Sequence, residues 1–565
     1  MSKLMHNHSS SSYTVYYIFV GIFVLYSVTK DLTMVDLFDF PSSFLTHLFT
    51  FIVLSVMIGV SMLMKERIGF AFFLFCAFVS SYVFHFSDVA MYHPNASWNY
   101  VLISYDGYLG RITESDLFFG SDNLFTGYVV PVEFFVGMLA QVFGSSLTVI
   151  EFYDYYRYIV LLAIVTSFII VYRILIISNS DNVIMSLFSL LFFVIAFMYP
   201  TYAKHAFGLL FAILFLMVYV RFLDEGFKAG DALVSLIIFL ALSLSVETYP
   251  MWIASALIVV GLIDYAKNLR VQIMNALIFL LCVAVIFKIY MVTSLVPNKE
   301  LQFEFALNTV FGHPIKLAIA MAFYCAVVYF SVRLLPQCKS SSRILLLLSL
   351  SGFFVILLQL FLGLFVDKFI FVYSIWHRGF NFFSLIALIV ILPSVISFFL
   401  EGLKLKRGGV FVVAVCIAII PVHKFSHFVV SGMLSDVSAV EKSLILNDDV
   451  TISKSTFGDL ADIIPSKSLI ATNVDITGCG AISYWLDSFV VTGTRGVLGA
   501  VPTEFLDERD IVNQFYISGG YLLHQSVLLN PKPDYILKHK RLSSDFYIDG
   551  VVPVYENNEI VLYNL

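Results

Sequence analysis

The sequence predicts a polytopic α-helical membrane protein that carries a C-terminal extracytoplasmic α/β domain. Three observations predict it. Of the 565 residues, 60% are hydrophobic and 13% charged, against roughly 45–50% and about 25% in ordinary soluble domains. About thirteen apolar stretches of membrane-spanning length, each near the ~20 residues that a bilayer core requires, occupy residues 13 to 430. Beyond residue 430 the composition changes abruptly, with charged residues and turn formers rising between short apolar runs. The chain therefore divides into a multi-pass domain at 1–430 and an outer domain at 431–565.

The spans are expected near 13–29, 43–64, 68–87, 155–176, 183–199, 206–222, 232–248, 250–265, 271–294, 315–332, 344–366, 380–400 and 408–430. Basic residues close to span ends are retained in the cytoplasm, so the side on which they gather orients the protein. Alternate gaps hold Lys65 with Arg67, Arg173, Arg221 with Lys228, Lys267 with Arg270, Arg333 with Lys339 and Arg343, and Lys404, Lys406 and Arg407. Those gaps are read as cytoplasmic, which puts the N-terminus inside and the C-terminal domain outside. The first apolar segment lacks a small-residue cleavage pattern and is soon followed by another span, so it reads as a transmembrane helix and not a signal peptide.

Two external regions remain. The first, residues 88–153, opens as an acidic, tyrosine-rich loop too polar to enter lipid. It ends in VVPVEFFVGMLAQVFG at 129–144, a segment opened by Pro131, closed by Gly144 and short for a span. Such a segment lies along the interface or re-enters. Crossing would move every later cluster of basic residues outside. In the second region, SLIAT, SFVVTG, DYILKH and EIVLYNL read as strands, and TEFLDERDIVNQFYISGG reads as a helix.

The six cysteines are scattered, and only Cys479 falls in the outer domain. One external thiol makes no intrachain disulfide framework. Cys338 is expected on the cytoplasmic side. The net charge of -6 is mild, with no basic stripe, which argues against nucleic acid as a partner. No HExxH, paired CxxC, Walker, GxSxG or GxGxxG motif stands in a supporting context, which excludes zinc proteases, ATPases and α/β-hydrolases by these tests. Asn95-Ala96-Ser97 is a glycosylation sequon that only a glycosylating host would use.

Chemistry-bearing residues collect on the external side. Asp106 lies in SYDGYLGRITE, where Gly107 and Gly110 permit close backbone approach and Tyr105, Tyr108 and Arg111 add aromatic and hydrogen-bonding surface. In a helical reading Asp106 and Gly110 share a face while Arg111 points elsewhere, leaving the carboxylate partly unneutralised. Asp106 thus reads as a general base or metal ligand, and equally as a solvated loop carboxylate. Asp88, preceded by His85 and Ser87, stands where the third span leaves the membrane. A rigid helix end suits a catalytic group, though a helix-end polar residue looks the same. Glu114, Asp116 and Asp122 read as surface. No definite cofactor is implied. A divalent metal ion is compatible with the loop, and Asp106 and Asp88 would hold it.

Ionisable groups at a membrane boundary are costly and so mark functional candidates. They include Arg157, Lys204 with His205, Glu247, Lys299 with Glu304, Asp367 with Lys368, and His377 with Arg378. Arg378, in SIWHRGFNFF, stands out because a guanidinium binds phosphate through a planar fork. Interfacial snorkelling or an ion pair with Asp367 is its ordinary alternative.

This arrangement resembles the GT-C superfamily of membrane glycosyltransferases, which use polyprenyl-phosphate-linked sugars as donors. The likeness covers nearly the whole chain: acidic first loop, interfacial segment, many spans and a C-terminal external α/β domain. DGYLGRITE is similar to the DxWYHLxRI type of sequence that carries a catalytic or metal-binding Asp, and GYVVPVEFFVGMLAQVFG resembles the juxtamembrane helix that follows. PTYAKHAFGLLFAI, HRGFNFFSLIALIV, DYILKHKRL and VYENNEIVLYNL extend it. Two spans precede the third helix where better-known members often need one, and no WWDYG-like acceptor motif is present.

The resemblance implies a sugar transferred from a polyprenyl-phosphate donor to a glycan, lipid or protein acceptor at the extracytoplasmic face, with inversion. Asp106 or Asp88 would deprotonate the acceptor or position a metal. Arg378, His377, Lys204, His205, Arg111 and Tyr108 would bind substrate. Competing classes are an O-antigen-type polymerase or ligase, a transporter of lipid-linked or small solutes, and a noncatalytic sugar-lipid-binding protein. Against the transporter stand the absence of a convincing internal repeat and the location of the charges at the rim.

Overall fold

The computed structural model describes residues 44–63, 66–86, 104–105, 107–109, 131–142, 147, 149–178, 182–198, 203–224, 228–245, 248–292, 314–338, 340–363, 365, 372–402, 412–418, 443–447, 450–466, 468–472, 482, 486, 488–491, 534–540 and 552–565. The span expected at 13–29 and the helix expected at 503–520 lie outside them.

Helices stand where apolar stretches were expected. They are α1 (Phe44–Leu63) and α2 (Glu66–Phe86), the short α3 (Pro131–Gln141), α4 (Val149–Ile177), α5 (Val183–Phe193), α6 (Ala203–Asp224) and α7 (Ala229–Ser245). Then come α8 (Thr248–Asp264), α9 (Leu269–Val292), α10 (Pro314–Leu334), α11 (Ser340–Gly363) and α12 (Val372–Gly402). Residues 412–418 are also helical. Among the described residues, five helical stretches are long and apolar enough to cross a membrane by length and composition: Tyr155–Ile177, Ala203–Asp224, Leu317–Gln337, Ser340–Gly363 and Trp376–Phe398. The protein is a helical membrane protein.

Short connections make sequence neighbours antiparallel, and the helix ends accordingly sort into two groups. At one end the Tyr172 hydroxyl donates to Glu66, Ser341 donates to Asp224, and Arg343 forks onto both Asp264 oxygens at 2.8 and 2.9 Å. Asn182 donates to Ser397 there as well. That end carries Arg67, Arg173, Arg221, Lys228, Lys267, Arg270 and Arg333, the basic residues that set the expected orientation. The opposite end gathers the starts of α4, α6, α8 and α12.

The bundle is tightest around α12. Gly352 of α11 lies against the Phe383 ring, where any Cβ would collide, and Ser349 Oγ donates to the Phe383 carbonyl at 2.7 Å. The helix α5 passes into a π-helical turn, Val194–Met198. Wide turns of that kind recur at functional sites, and this one leads towards the start of α6.

In the C-terminal region, β3 (Leu469–Thr472), β4 (Phe489–Val491), β5 (Tyr535–His539), β6 (Pro553–Glu556) and β7 (Ile560–Asn564) form one mixed sheet in the order β4-β3-β5-β7-β6. The strand β3 runs parallel to both neighbours, and β7 is antiparallel to β5 and β6. All four strands expected from the sequence are present, and β6 is a fifth. Strand β5 is buried along its whole length, as an inner strand covered on both faces should be. A hairpin of β1 (Ser443–Asn447) and β2 (Val450–Ser453) precedes α13 (Lys454–Ile463). Ser453 caps α13 by accepting from the Thr456 N–H. Glu559, beside β7, accepts from Ser453 and Thr456 and so ties this cap to the sheet.

Candidate functional site

At the end of the bundle opposite the basic turns, α3 organises the site. Pro131 opens it, where a fixed φ suits the first helical turn and a missing N–H goes unnoticed. Glu133, Gly137 and Gln141 are spaced four apart and form one stripe along the helix. The short stretch 104–109 lies along that stripe. Ser104 Oγ–H donates to Glu133 Oε2 at 2.8 Å, and Gln141 Nε2 donates to the Tyr108 carbonyl at 2.6 Å. Between them Gly137 lets the two backbones meet: a Cβ there would collide with the Ser104 carbonyl oxygen and stand 2.8 Å from the Tyr108 nitrogen.

Residues 104–105 and 107–108 are helical, and the Leu109 N–H donates to the Tyr105 carbonyl at 2.9 Å. Asp106 itself lies outside the described residues, as do Asp88 and Arg111. The residues flanking Asp106 are held firmly. Tyr105 and Tyr108 stack at 5.8 Å and both pack on Phe152 of α4, and the Tyr108 hydroxyl accepts from the Leu147 N–H at 2.6 Å. Tyr108, a substrate-binding candidate from sequence, is thus buried in the frame of the site.

The start of α6 completes one side. The first N–H groups of any helix lack intrahelical partners. Here the Ala203 N–H donates to the Tyr156 hydroxyl of α4 at 2.8 Å, and the Lys204 N–H donates to Glu133 Oε1 at 2.8 Å. Tyr156 in turn donates its proton to Glu133 Oε2 at 2.9 Å. Lys204 and His205 are consequently buried, as is Arg157 beside Tyr156. Burial raises the Glu133 carboxyl from 4.5 to about 7, with the Lys204 N–H, Ser104, Tyr156 and the Lys204 charge pulling the other way.

From α12, the Arg378 charge acts on His205 together with that of Lys204. Three of the basic residues chosen from sequence therefore meet electrostatically, though they come from helices far apart in the chain. Arg378 is exposed, while its neighbour Gly379 fits against Trp252 of α8 and Ile356 of α11. One turn on, Asn381 accepts from the Tyr324 hydroxyl at 2.8 Å and donates to the Phe197 carbonyl of the π turn at 3.0 Å. Phe380 packs within an aromatic collar of Tyr324, Phe353 and Trp376. His377 is half-buried, edge-on to Trp376.

Sequence reasoning overlooked Glu133. The signal was a single acidic residue within 129–144, an otherwise uncharged apolar segment. It also overlooked Asn381 and Tyr156, polar groups whose partners lie on other helices. Asp367, offered as an ion-pair partner for Arg378, lies outside the described residues. Among the described residues no group of three His, Cys, Asp or Glu side chains converges to hold a metal.

No protein-family model matches the chain, and no curated protein matches it in sequence. Among solved structures it is similar to ArnT from Cupriavidus metallidurans bound to undecaprenyl phosphate. That likeness has 12% identity over 86% of this chain and 97% of that one, with a TM-score of 0.41. It is also similar to the archaeal oligosaccharyltransferase AglB from Archaeoglobus fulgidus in complex with an inhibitory peptide and a dolichol-phosphate. There the identity is 12% over 83% of this chain and 69% of that one, with a TM-score of 0.39. At these scores neither likeness decides the fold or the activity.

Proposed function

We propose that the protein is a membrane glycosyltransferase of the GT-C type, moving a sugar from a polyprenyl-phosphate-linked donor to an acceptor hydroxyl at the extracytoplasmic face. One observation carries this reading. The stretch that contains Asp106 is seated on α3, and the same helix binds the start of α6, whose Lys204 and His205 lie within the electrostatic reach of Arg378. The residues on either side of Asp106 and the cations Lys204 and Arg378 belong to one end of one bundle, which supports pairing a proton acceptor with groups suited to a phosphate.

The chemistry follows from charge. As the acceptor oxygen attacks the anomeric carbon, its proton passes to the Asp106 carboxylate and the bond from that carbon to the phosphate oxygen breaks. Polyprenyl phosphate leaves with the bonding electron pair. Arg378 and Lys204 offset the charge that builds on the phosphate, an interaction that strengthens towards the transition state, and His205 offers a neutral hydrogen-bonding group beside them. Direct displacement inverts the anomeric centre. Asp88 is the alternative base.

The test is sugar transfer by purified protein supplied with a panel of polyprenyl-phosphate sugars and labelled acceptors. Asp106→Asn should lower turnover by at least about a hundredfold, within the range for a lost general base, while leaving donor binding intact. Arg378→Ala should weaken donor binding and slow transfer together. Activity untouched by both changes rejects these assignments. Solute flux without sugar transfer favours a transporter, and growth of a repeating glycan favours a polymerase.

A further inference from the structure

We propose that Glu133 is a positioning residue that sets the spacing between the Asp106-bearing stretch and the Lys204–His205 start of α6. The inference rests on the proposed function for its catalytic meaning, but its geometric content stands alone. The carboxylate is fully buried and accepts from three segments distant in sequence: Ser104, Tyr156 and the backbone of Lys204, at 2.8 to 2.9 Å. Among the described residues its hydrogen-bond partners are all donors. Tyr156 already accepts the Ala203 N–H, so its own proton is directed at Glu133.

An acceptor-only group meets all three donors, and the carboxylate is one above about pH 7, where it has lost the proton that burial retains. An ionised carboxylate offers about four lone-pair sites and no proton, whereas an amide must turn an NH₂ towards donors on one side. Two of the three bonds fall on Oε2 and one on Oε1. In Glu133→Gln the amide oxygen can keep the Lys204 N–H, so the start of α6 holds. The NH₂ then faces the Ser104 and Tyr156 hydroxyls, and the stretch around Asp106 loosens. Glu133 lies on the far side of α3 from Phe135 and Met138, which are exposed, so it acts through Ser104 and α6 and not by touching substrate.

The experiment compares wild type, Glu133→Gln and Tyr156→Phe above about pH 7, where Glu133 is ionised, in sugar-transfer kinetics, polyprenyl phosphate binding and hydrogen–deuterium exchange. Glu133→Gln should lower kcat by about tenfold or more while the Kd for polyprenyl phosphate changes less than about twofold, because the cations stay in place. Exchange should rise in the peptide containing 104–109 and stay unchanged at the start of α6. Tyr156→Phe should reproduce the kcat loss, and the double variant should lose no more than the worse single, as partners in one network do. It also serves if Glu133→Gln fails to fold. Unchanged kcat in Glu133→Gln, or a kcat loss that comes with equal loss of binding and global protection, overturns the inference. Wild type that transfers no sugar rejects the proposed function instead. Exchange at 104–109 then decides this inference by itself, and no change there overturns it.

Discussion

Gly137→Ala adds a single methyl group at the point where α3 meets the stretch bearing Asp106. The new Cβ would stand 2.8 Å from the Tyr108 nitrogen and 2.9 Å from the Ser104 carbonyl carbon, with the Ser104 oxygen nearer still. Ordinary contact begins at about 3.4 Å. The nitrogen alone needs a retreat of about 0.6 Å, and the oxygen more than twice that. All three atoms are backbone, so no side chain can swing aside. The stretch must lift off α3, straining the Ser104 bond to Glu133 and the Gln141 bond to Tyr108. Overpacking of this kind costs about 1–3 kcal/mol, and a misplacement near 1 Å lowers turnover by about a hundredfold. The variant should therefore melt a few degrees below wild type in detergent and lose most of its transfer activity, while polyprenyl phosphate binding, which the proposed function assigns to Arg378 and Lys204, persists. Gly230, beside which an added Cβ meets nothing within 4 Å, supplies the control: Gly230→Ala should leave both properties unchanged. Wild-type melting and turnover in Gly137→Ala would refute the seating of 104–109 on α3 as the basis of the site.

Three further outcomes are expected. Burial holds Glu133 near 7 against 4.5 when exposed, so the folded protein keeps a proton that the unfolded chain releases between about pH 4.5 and 7. Stability should fall as pH rises through that window, by about 3 kcal/mol from this group. Melting curves of wild type and Glu133→Gln should diverge across it, and parallel curves would contradict the burial. Asn381→Leu removes the side chain that accepts from the Tyr324 hydroxyl and donates to the Phe197 carbonyl, and should destabilise by about 1–3 kcal/mol, read as a lowered melting temperature. A maleimide that cannot cross membranes should label Cys479 in intact cells and reach Cys338 only after permeabilisation. Both sites on one side would overturn the orientation read from basic residues.

What could be read from the sequence follows what physics makes local. A helix that is apolar on every side needs no partner to be recognised, and helices α1, α2 and α4 to α12 fall where the spans were expected. The basic turns gathered at one end for the same reason, since each is written in its own gap. Strands β3, β4, β5 and β7 showed themselves as short runs between turn residues. Strand β6, at the sheet edge, alternates between half-buried and exposed, and its apolar run VVPVY is interrupted by Pro553. The hairpin β1–β2 and helix α13 were equally weak as patterns. The site divides along this line too. Arg378, Lys204 and His205 were singled out because charge at a membrane boundary is conspicuous in one dimension. Glu133 was passed over because its segment was judged by its length and its apolar residues, and the three donors that give the carboxylate its role come from positions 104, 156 and 204.

The two faces of α3 bear on where a lipid-linked donor would arrive. A helix on the surface of a water-soluble protein buries its apolar stripe and exposes its polar one. In α3 the buried face is mixed, with Val132, Val136 and Ala140 beside Glu133, and the exposed face is apolar as well. Glu133 and Gly137 are buried against 104–109, whereas Phe135 and Met138 are about half exposed and Val142 is 79% exposed. Such a helix is at ease only where its outer face meets hydrocarbon, so α3 is expected to lie at the lipid boundary with its polar stripe turned into the protein. The Asp106 stretch is then separated from lipid by the thickness of a single short helix. A polyprenyl chain can remain in the bilayer beside Phe135 and Met138 while its phosphate reaches the cations of α6 and α12. Phe135→Asp places a charge on that boundary without touching the Ser104, Tyr156 or Lys204 bonds. It should raise the apparent KM for a long-chain polyprenyl donor far more than for a short-chain, water-soluble analogue. Equal effects on both donors would place lipid entry elsewhere on the bundle.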